Sequence, residues 1–144
     1  MIKICALSVV KNESAYVQQS VRSALKNNDV TMIIIDDNSS DGTYEILLEL
    51  KNEFIGRLEV RRNKAIGKIA AYRSMINSVE ASHYIFLDGD DFLTSNWRRS
   101  LPELCKDTIY FHNLILFFKD GKTKSLVNPK IHLIDKIKLI LILC

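Results

Sequence analysis

Three carboxylates stand around one glycine at Asp88-Gly89-Asp90-Asp91, directly after the apolar run Tyr84-Ile85-Phe86-Leu87. Acids this close repel one another, and an oxygen-rich cluster of this kind suits a hard divalent cation, Mg²⁺ or Mn²⁺, shared with substrate phosphates. A second apolar run, Ile33-Ile34-Ile35, ends the same way, in Asp36-Asp37-Asn38-Ser39-Ser40-Asp41-Gly42-Thr43. Asp36 or Asp37 can accept hydrogen bonds from a base or a ribose, whereas Ser39 to Thr43 read as loop and helix cap. Asp-Gly-Asp-Asp is also ordinary turn chemistry, so neither loop is diagnostic alone. No Gly-x-Gly-x-x-Gly follows the first apolar run, and no P-loop occurs. Phosphates would therefore have to be held through a metal, which points back to Asp88–Asp91.

The elements that must position these loops alternate in type. Strand-like runs cover Ile2–Val10, Thr31–Ile35, Leu58–Arg61 and His83–Leu87. Helical spacing links Val17, Val21, Ala24 and Leu25, then Ile46, Leu47, Leu50 and Phe54, then Ile69, Tyr72, Ile76 and Val79. This alternation predicts an α/β protein with a mainly parallel sheet and right-handed crossovers. In such sheets ligands bind beyond the strands' carboxyl ends, where both acidic loops fall. After Asp91 the rhythm changes. Thr94 or Ser95 can cap a short helix through Leu104, with Pro102 near its end. Asp120-Gly121 signals a hairpin between Ile109–Lys119 and Lys122–Val127, and Asn128-Pro129 marks a break. The Ile/Leu-rich tail from Ile131 to Cys144 is too short to span a bilayer. It suits a core helix lacking packing partners, an interfacial segment, or the end of a truncated chain.

With 144 residues the chain is one domain long and can bury a real core. Its 47% hydrophobic and 26% charged residues are those of an ordinary folded protein, which argues against disorder. A formal net charge of +3, without aromatics interleaved among Lys and Arg, gives no case for nucleic acid. Cys5, Cys105 and Cys144 are too widely separated for a metal site, and suggest reduced thiols in a cytosolic protein. His83, His112 and His132 share no zinc-like spacing. The apolar run Ile4 to Val10 is ended by Lys11-Asn12-Glu13, too soon for a membrane span, and reads as a buried strand.

Taken together, Ser8-Val9-Val10-Lys11-Asn12-Glu13, Asp36 to Thr43, and Leu87-Asp88-Gly89-Asp90-Asp91 resemble the family 2 glycosyltransferases in order and spacing. The resemblance covers about residues 2–118. It implies a GT-A-like, three-layer α/β/α fold with a Rossmann-like nucleotide-binding half. It also implies a site for a nucleotide-diphospho-sugar donor, with Val10, Asn12, Glu13 and Asp37 contacting the nucleoside. Asp88 would lie near the ribose, and Asp90 would ligate a Mg²⁺ or Mn²⁺ ion on the diphosphate. The implied reaction is inverting transfer of a sugar to a glycan or lipid-linked hydroxyl acceptor, as in cell-surface polysaccharide synthesis. A bound cation stabilises the charge that develops on such a leaving group.

The sequence departs from the family pattern in two places. The segment Gly-x-x-x-Ala-Arg-Asn-x-Gly is replaced by Gly67-Lys68-Ile69-Ala70-Ala71-Tyr72-Arg73-Ser74-Met75, and Lys68 and Arg73 read as a solvated helix face. The family's downstream Asp or Glu, the general base for the acceptor hydroxyl, has no assignable counterpart. Glu103, Asp107, Asp120 and Asp135 sit in no motif and read as surface charges. The expected organisation is a donor-binding domain over residues 1–118. Residues 119–144 then form the start of an acceptor half or a truncated apolar tail. A fragment that binds nucleotide without transferring sugar is the alternative. A sugar nucleotidyltransferase would need a Gly-rich basic loop after the first strand, and a phosphotransferase a tighter spacing of Asp37 and Asp41-Gly42-Thr43. The expected location is cytoplasmic, at the inner membrane face if the Lys-bearing tail touches the bilayer.

Overall fold

Seven consecutive buried residues form β1 (Ile4–Val10), the strand around which the sheet is built. The computed structural model describes residues 3–64, 67–95, 97–100, 110–111, 114–117, 123–126 and 139–141. After β1 the chain alternates through α1 (Val17–Leu25), β2 (Val30–Asp36), α2 (Thr43–Glu53), β3 (Leu58–Arg62), α3 (Lys68–Ser78) and β4 (His83–Phe86). Then come α4 (Trp97–Ser100), β5 (Tyr110–Phe111), β6 (Leu114–Phe117), β7 (Thr123–Leu126) and β8 (Leu139–Leu141). Sheet order is β3-β2-β1-β4-β8-β5, with every pairing parallel.

The run in β1 is apolar on both sides because helices cover both faces of the sheet. Ile4, Ala6 and Val10 pack with Met32 and Ile34 of β2 against α1 and α2. Cys5, Leu7 and Val9 point the other way, with Ile33 and Ile35, against Ala71 and Met75 of α3. Fully buried Leu7, Ile34, Leu47 and Ile85 each contribute about 1.5–3 kcal/mol relative to exposure. At the edge, β3 carries Glu59, Arg61 and Arg62, charges that blunt an open strand. The result is the expected three-layer α/β/α arrangement.

The first helix buries the expected Val17, Val21, Ala24 and Leu25. The second fully buries Leu47 and Leu50, with Ile46 and Phe54 packed at the margin. The third departs from expectation, because Ile69 is 84% exposed. The buried stripe of α3 is centred on Ala71 and Met75, flanked by Tyr72 and Ile76, which leaves Ile69 in the first turn at its margin. Of the hairpin expected between Ile109–Lys119 and Lys122–Val127, the antiparallel pair β6–β7 is present, while Tyr110–Phe111 pairs instead with β8 in the main sheet. Of the tail, Leu139–Leu141 is described and forms a strand with β4 as a parallel partner. Ile2, Pro102, the turn at Asp120-Gly121, the Asn128-Pro129 break, Cys105, Cys144, His112, His132 and the acids Glu103, Asp107, Asp120 and Asp135 lie outside the described residues.

Candidate functional site

From β1 the chain moves outward to β2 and β3, then returns to place β4 on the other side of β1. The order of strands therefore reverses between β1 and β4, where parallel sheets open a crevice for ligands. The loops after β1 and β4 meet at this point. A Cβ added to Gly89 would lie 2.5 Å from Val10 Cγ1 and 3.0 Å from Glu13 Cγ. Glycine is thus required for close approach between the loops, and its φ is not in the left-handed region. From below, buried Ser20 of α1 donates its hydroxyl to the Asp88 carbonyl at 3.2 Å, and Ser23 Oγ accepts from Leu93 N at 2.9 Å. One helix therefore grips both ends of the acidic loop.

The loop after β2 braces the loop after β1. Asn12, in the left-handed region at φ 57°, donates its backbone N–H to Ser39 Oγ at 2.9 Å. Its side-chain Oδ1 accepts from Ser40 N, also at 2.9 Å. Glu13 N donates to Thr43 Oγ1 at 2.8 Å, and Ser14 N to Asp41 Oδ2 at 3.0 Å. Asp41 also accepts from the Thr43 N–H and hydroxyl at the start of α2, a favourable place for an anion. The hydroxyl of Thr43 holds the Asp41 carboxyl well below the usual carboxylate range. The cap expected over Ser39 to Thr43 is therefore also a clamp on the first loop.

The adjacent acids divide their roles. β2 runs one residue past Ile35, so Asp36 is fully buried and accepts the Ser39 N–H at 3.2 Å. Asp37 is half-buried at the site. Its N–H donates to the Val10 carbonyl at 2.8 Å, Asn63 Nδ2 donates to its Oδ1 at 2.6 Å, and Lys11 Nζ stands 3.9 Å from Oδ2. Val10 itself lies beneath the surface, with its side chain in the core and its carbonyl engaged by Asp37. Asn63 also lines a cavity of about 550 Å³ with Arg61, Arg62, Lys64, Ala71 and Ser74. Of its cations, Arg61 already meets Glu59 and Ser78, and Arg62 stacks 4.0 Å from the centre of the Tyr44 ring.

Around Gly89 the acids crowd together. Partial burial, then the charges of Asp90 and Asp88, push Asp91 up to about 6, while Lys68 works in the opposite sense. Glu13 is raised by burial and by Asp90, Asp41 and Asp88, again with Lys68 opposing. Lys68 is exposed, as expected of a solvated helix face, and it also has a partner there. Its Nζ lies 2.5 Å from Asp88 Oδ1, although both side chains are about half exposed. Tyr72 stands where the family pattern has arginine. It packs against Phe86 at 5.0 Å between ring centres, and burial followed by the Asp88 charge raises its hydroxyl. Arg73 is exposed.

Among the described residues no three His, Cys, Asp or Glu side chains converge tightly enough to cage a metal unaided. A smaller donor set would suffice for an ion whose other ligands came from phosphates and water: one or two carboxylates, Asp90 with Asp88. The surplus negative charge on Glu13, Asp88, Asp90 and Asp91, opposed by Lys68, is the observation behind that fit. Sequence spacing alone could not assign Lys68, Asn63 or Ser20 to the site, because their partners lie 20, 26 and 68 residues away. A lysine opening a helix, against the helix dipole, was the one available signal.

The family profile described as "Glycosyl transferase family 2" matches residues 5–134. The chain is 27% identical over 92 residues to a cholesterol galactosyltransferase of Borreliella burgdorferi, covering 64% of this chain and 25% of that protein. It is 26% identical over 114 residues to the minor teichoic acid biosynthesis protein GgaA of Bacillus subtilis, covering 74% and 26%. It therefore spans about a quarter of the length of these curated relatives. Its fold is similar to S. aureus TarS 1-349 in complex with UDP-GlcNAc, with a TM-score of 0.65, 18% identity, and 82% of this chain and 36% of that chain covered. It is also similar to the mannosyltransferase PcManGT from Pyrobaculum calidifontis in complex with GDP-Man and Mn²⁺. There the TM-score is 0.54 and identity 14%, with 65% and 29% covered. These likenesses establish the fold as GT-A-like α/β.

Proposed function

Because this chain belongs to glycosyl transferase family 2, we propose that it forms the donor-binding part of an inverting, metal-dependent glycosyltransferase. The donor is a nucleotide-diphospho-sugar, and the acceptor is a hydroxyl of a glycan or lipid-linked glycan. The observation that carries this is the acidic loop around Gly89, packed onto Val10 and Glu13 at the point where the strand order reverses. Relatives in galactosyl transfer and teichoic acid synthesis, and neighbours holding UDP-GlcNAc or GDP-Man with Mn²⁺, support the same reading.

In this mechanism Asp37, already steadied by Asn63 and Lys11, accepts hydrogen bonds from the nucleoside. Asn12 and Glu13 shape the first loop around it, and Val10 supports them from the core. Asp88 would lie near the ribose and, with Asp90, would hold a Mg²⁺ or Mn²⁺ ion shared with the diphosphate. When bound, that ion neutralises the charge developing on the leaving group. Rigid backbone clamps from Ser20, Ser39 and Thr43 keep the carboxylates in place, which reduces reorganisation at the moment of reaction. Deprotonation of the acceptor hydroxyl is assigned to no residue of this chain. We place the protein in the cytoplasm, working on acceptors at the inner membrane face. No helix among the described residues is long and apolar enough to cross a membrane.

The test is calorimetric titration and thermal shift with UDP and GDP, each with and without Mn²⁺. Stabilisation that requires both components, and is lost in Asp90→Ala, is expected. No shift with either nucleotide, or a shift indifferent to Asp90→Ala, would sink the proposal. Release of free sugar from a nucleotide-sugar in the same solutions would separate turnover from nucleotide binding alone.

A further inference from the structure

The ammonium of Lys68 touches the acid that the proposed cation also needs. Lys68 is the first residue of α3, and the first turn of that helix contains no acid. A cation at a helix's amino end opposes the helix dipole. What holds it there is Asp88 Oδ1 at 2.5 Å, contributed from beyond β4. Its charge also opposes the crowding of Glu13 and Asp91.

We propose that Lys68 is a tethered counter-cation, which occupies Asp88 in the nucleotide-free protein and competes there with the divalent ion. Binding of the bare ion is therefore held weak, and the site fills efficiently only when the ion arrives with a diphosphate. Both partners of the pair are about half exposed, 53% for Lys68 and 44% for Asp88, so the ammonium can swing into solvent without unpacking any core residue. The inference rests on the cation site of the preceding section.

An exposed ion pair of this kind is worth a factor of about 1.5 to 5 in binding terms. Removing a like charge from beside a dication adds a comparable factor at moderate ionic strength. Lys68→Met should therefore tighten Mn²⁺ binding to the nucleotide-free full chain by about threefold to tenfold. The measurement is Mn²⁺ titration followed by calorimetry and by the paramagnetic signal of the free ion. Lys68→Gln should repeat the gain, and Lys68→Arg should return the affinity towards that of the original protein. In an Asp88→Asn background the Lys68→Met gain should vanish. If the original protein binds Mn²⁺ and Lys68→Met leaves that affinity unchanged or weaker, the counter-cation role is overturned while the cation site stands. The role is equally overturned if Lys68→Met merely lowers the melting temperature. If neither protein binds Mn²⁺, with or without UDP, the cation site itself is wrong and the inference goes with it.

Discussion

Replacing Gly89 with alanine probes the contact on which the site is built. The added methyl would lie 2.5 Å from Val10 Cγ1 and 3.0 Å from Glu13 Cγ, whereas carbons in contact sit about 3.5–4.0 Å apart. Glu13 can swing aside at small cost. Val10 is 2% exposed and enclosed by the core, so the acidic loop must lift by roughly 1 Å. Overpacking of this kind costs about 1–3 kcal/mol. For a domain of this size that lowers the melting temperature by about 3–10 °C. The loss is steric, since Gly89 does not use the left-handed backbone region. Thermal and urea melts give the magnitude, and a double-mutant cycle with Val10→Ala isolates the contact. Val10→Ala alone should cost about 2 kcal/mol through its cavity. It also removes the atom that the added methyl would strike, so the double variant should lose at least about 1 kcal/mol less than the sum. Strict additivity, or a Gly89→Ala melt within about 1 °C of the original, would refute close apposition of the two loops. Lifting the loop also separates Asp88 and Asp90 from Glu13, so Mn²⁺-dependent UDP binding should weaken in parallel.

The adjacent acids should fail differently. Asp36→Ala strips the half-buried Ser39 N–H of its acceptor and should cost about 1–2 kcal/mol in urea denaturation. Asp37→Asn should hold stability within about 0.5 kcal/mol yet weaken UDP binding severalfold. The opposite ranking would overturn the division of roles. A third expectation concerns pH. Asp91 titrates near 6 in the folded protein against an ordinary value of 3.8, so between these values the folded state retains a proton that the unfolded chain has released. Its contribution therefore makes stability fall as pH rises from about 4 to about 6, then level off. Asp91→Asn should raise the melting temperature at pH 7 and leave it nearly unchanged at pH 4, and an equal effect at both would count against the crowding of acids.

The repeating order of strands and helices was legible in the sequence because its signals are local. Ile4–Val10 and Ile33–Ile35 are apolar without interruption, which is how a strand covered on both faces reads. The acidic turns that follow such runs had to fall at the carboxyl edge of a parallel sheet. Ile69 shows the limit of periodicity, since spacing names residues that share a face but not how the helix is rotated against the sheet.

The order of residues alone specified the chemistry available at each strand end, namely carboxylates for a cation and Asn, Ser and Asp for turns. It could not show that Asp36 is buried while Asp37 stays half-exposed, explain why position 89 must be glycine, or give Lys68 a partner. Those were settled by tertiary structure, through the register of β1 with β2 and the packing of the β4 loop on Val10 and Glu13. The physical reason is range. Backbone preference and hydrophobic period act over a few residues, whereas burial, close contact and charge pairing depend on neighbours that only the folded sheet brings together.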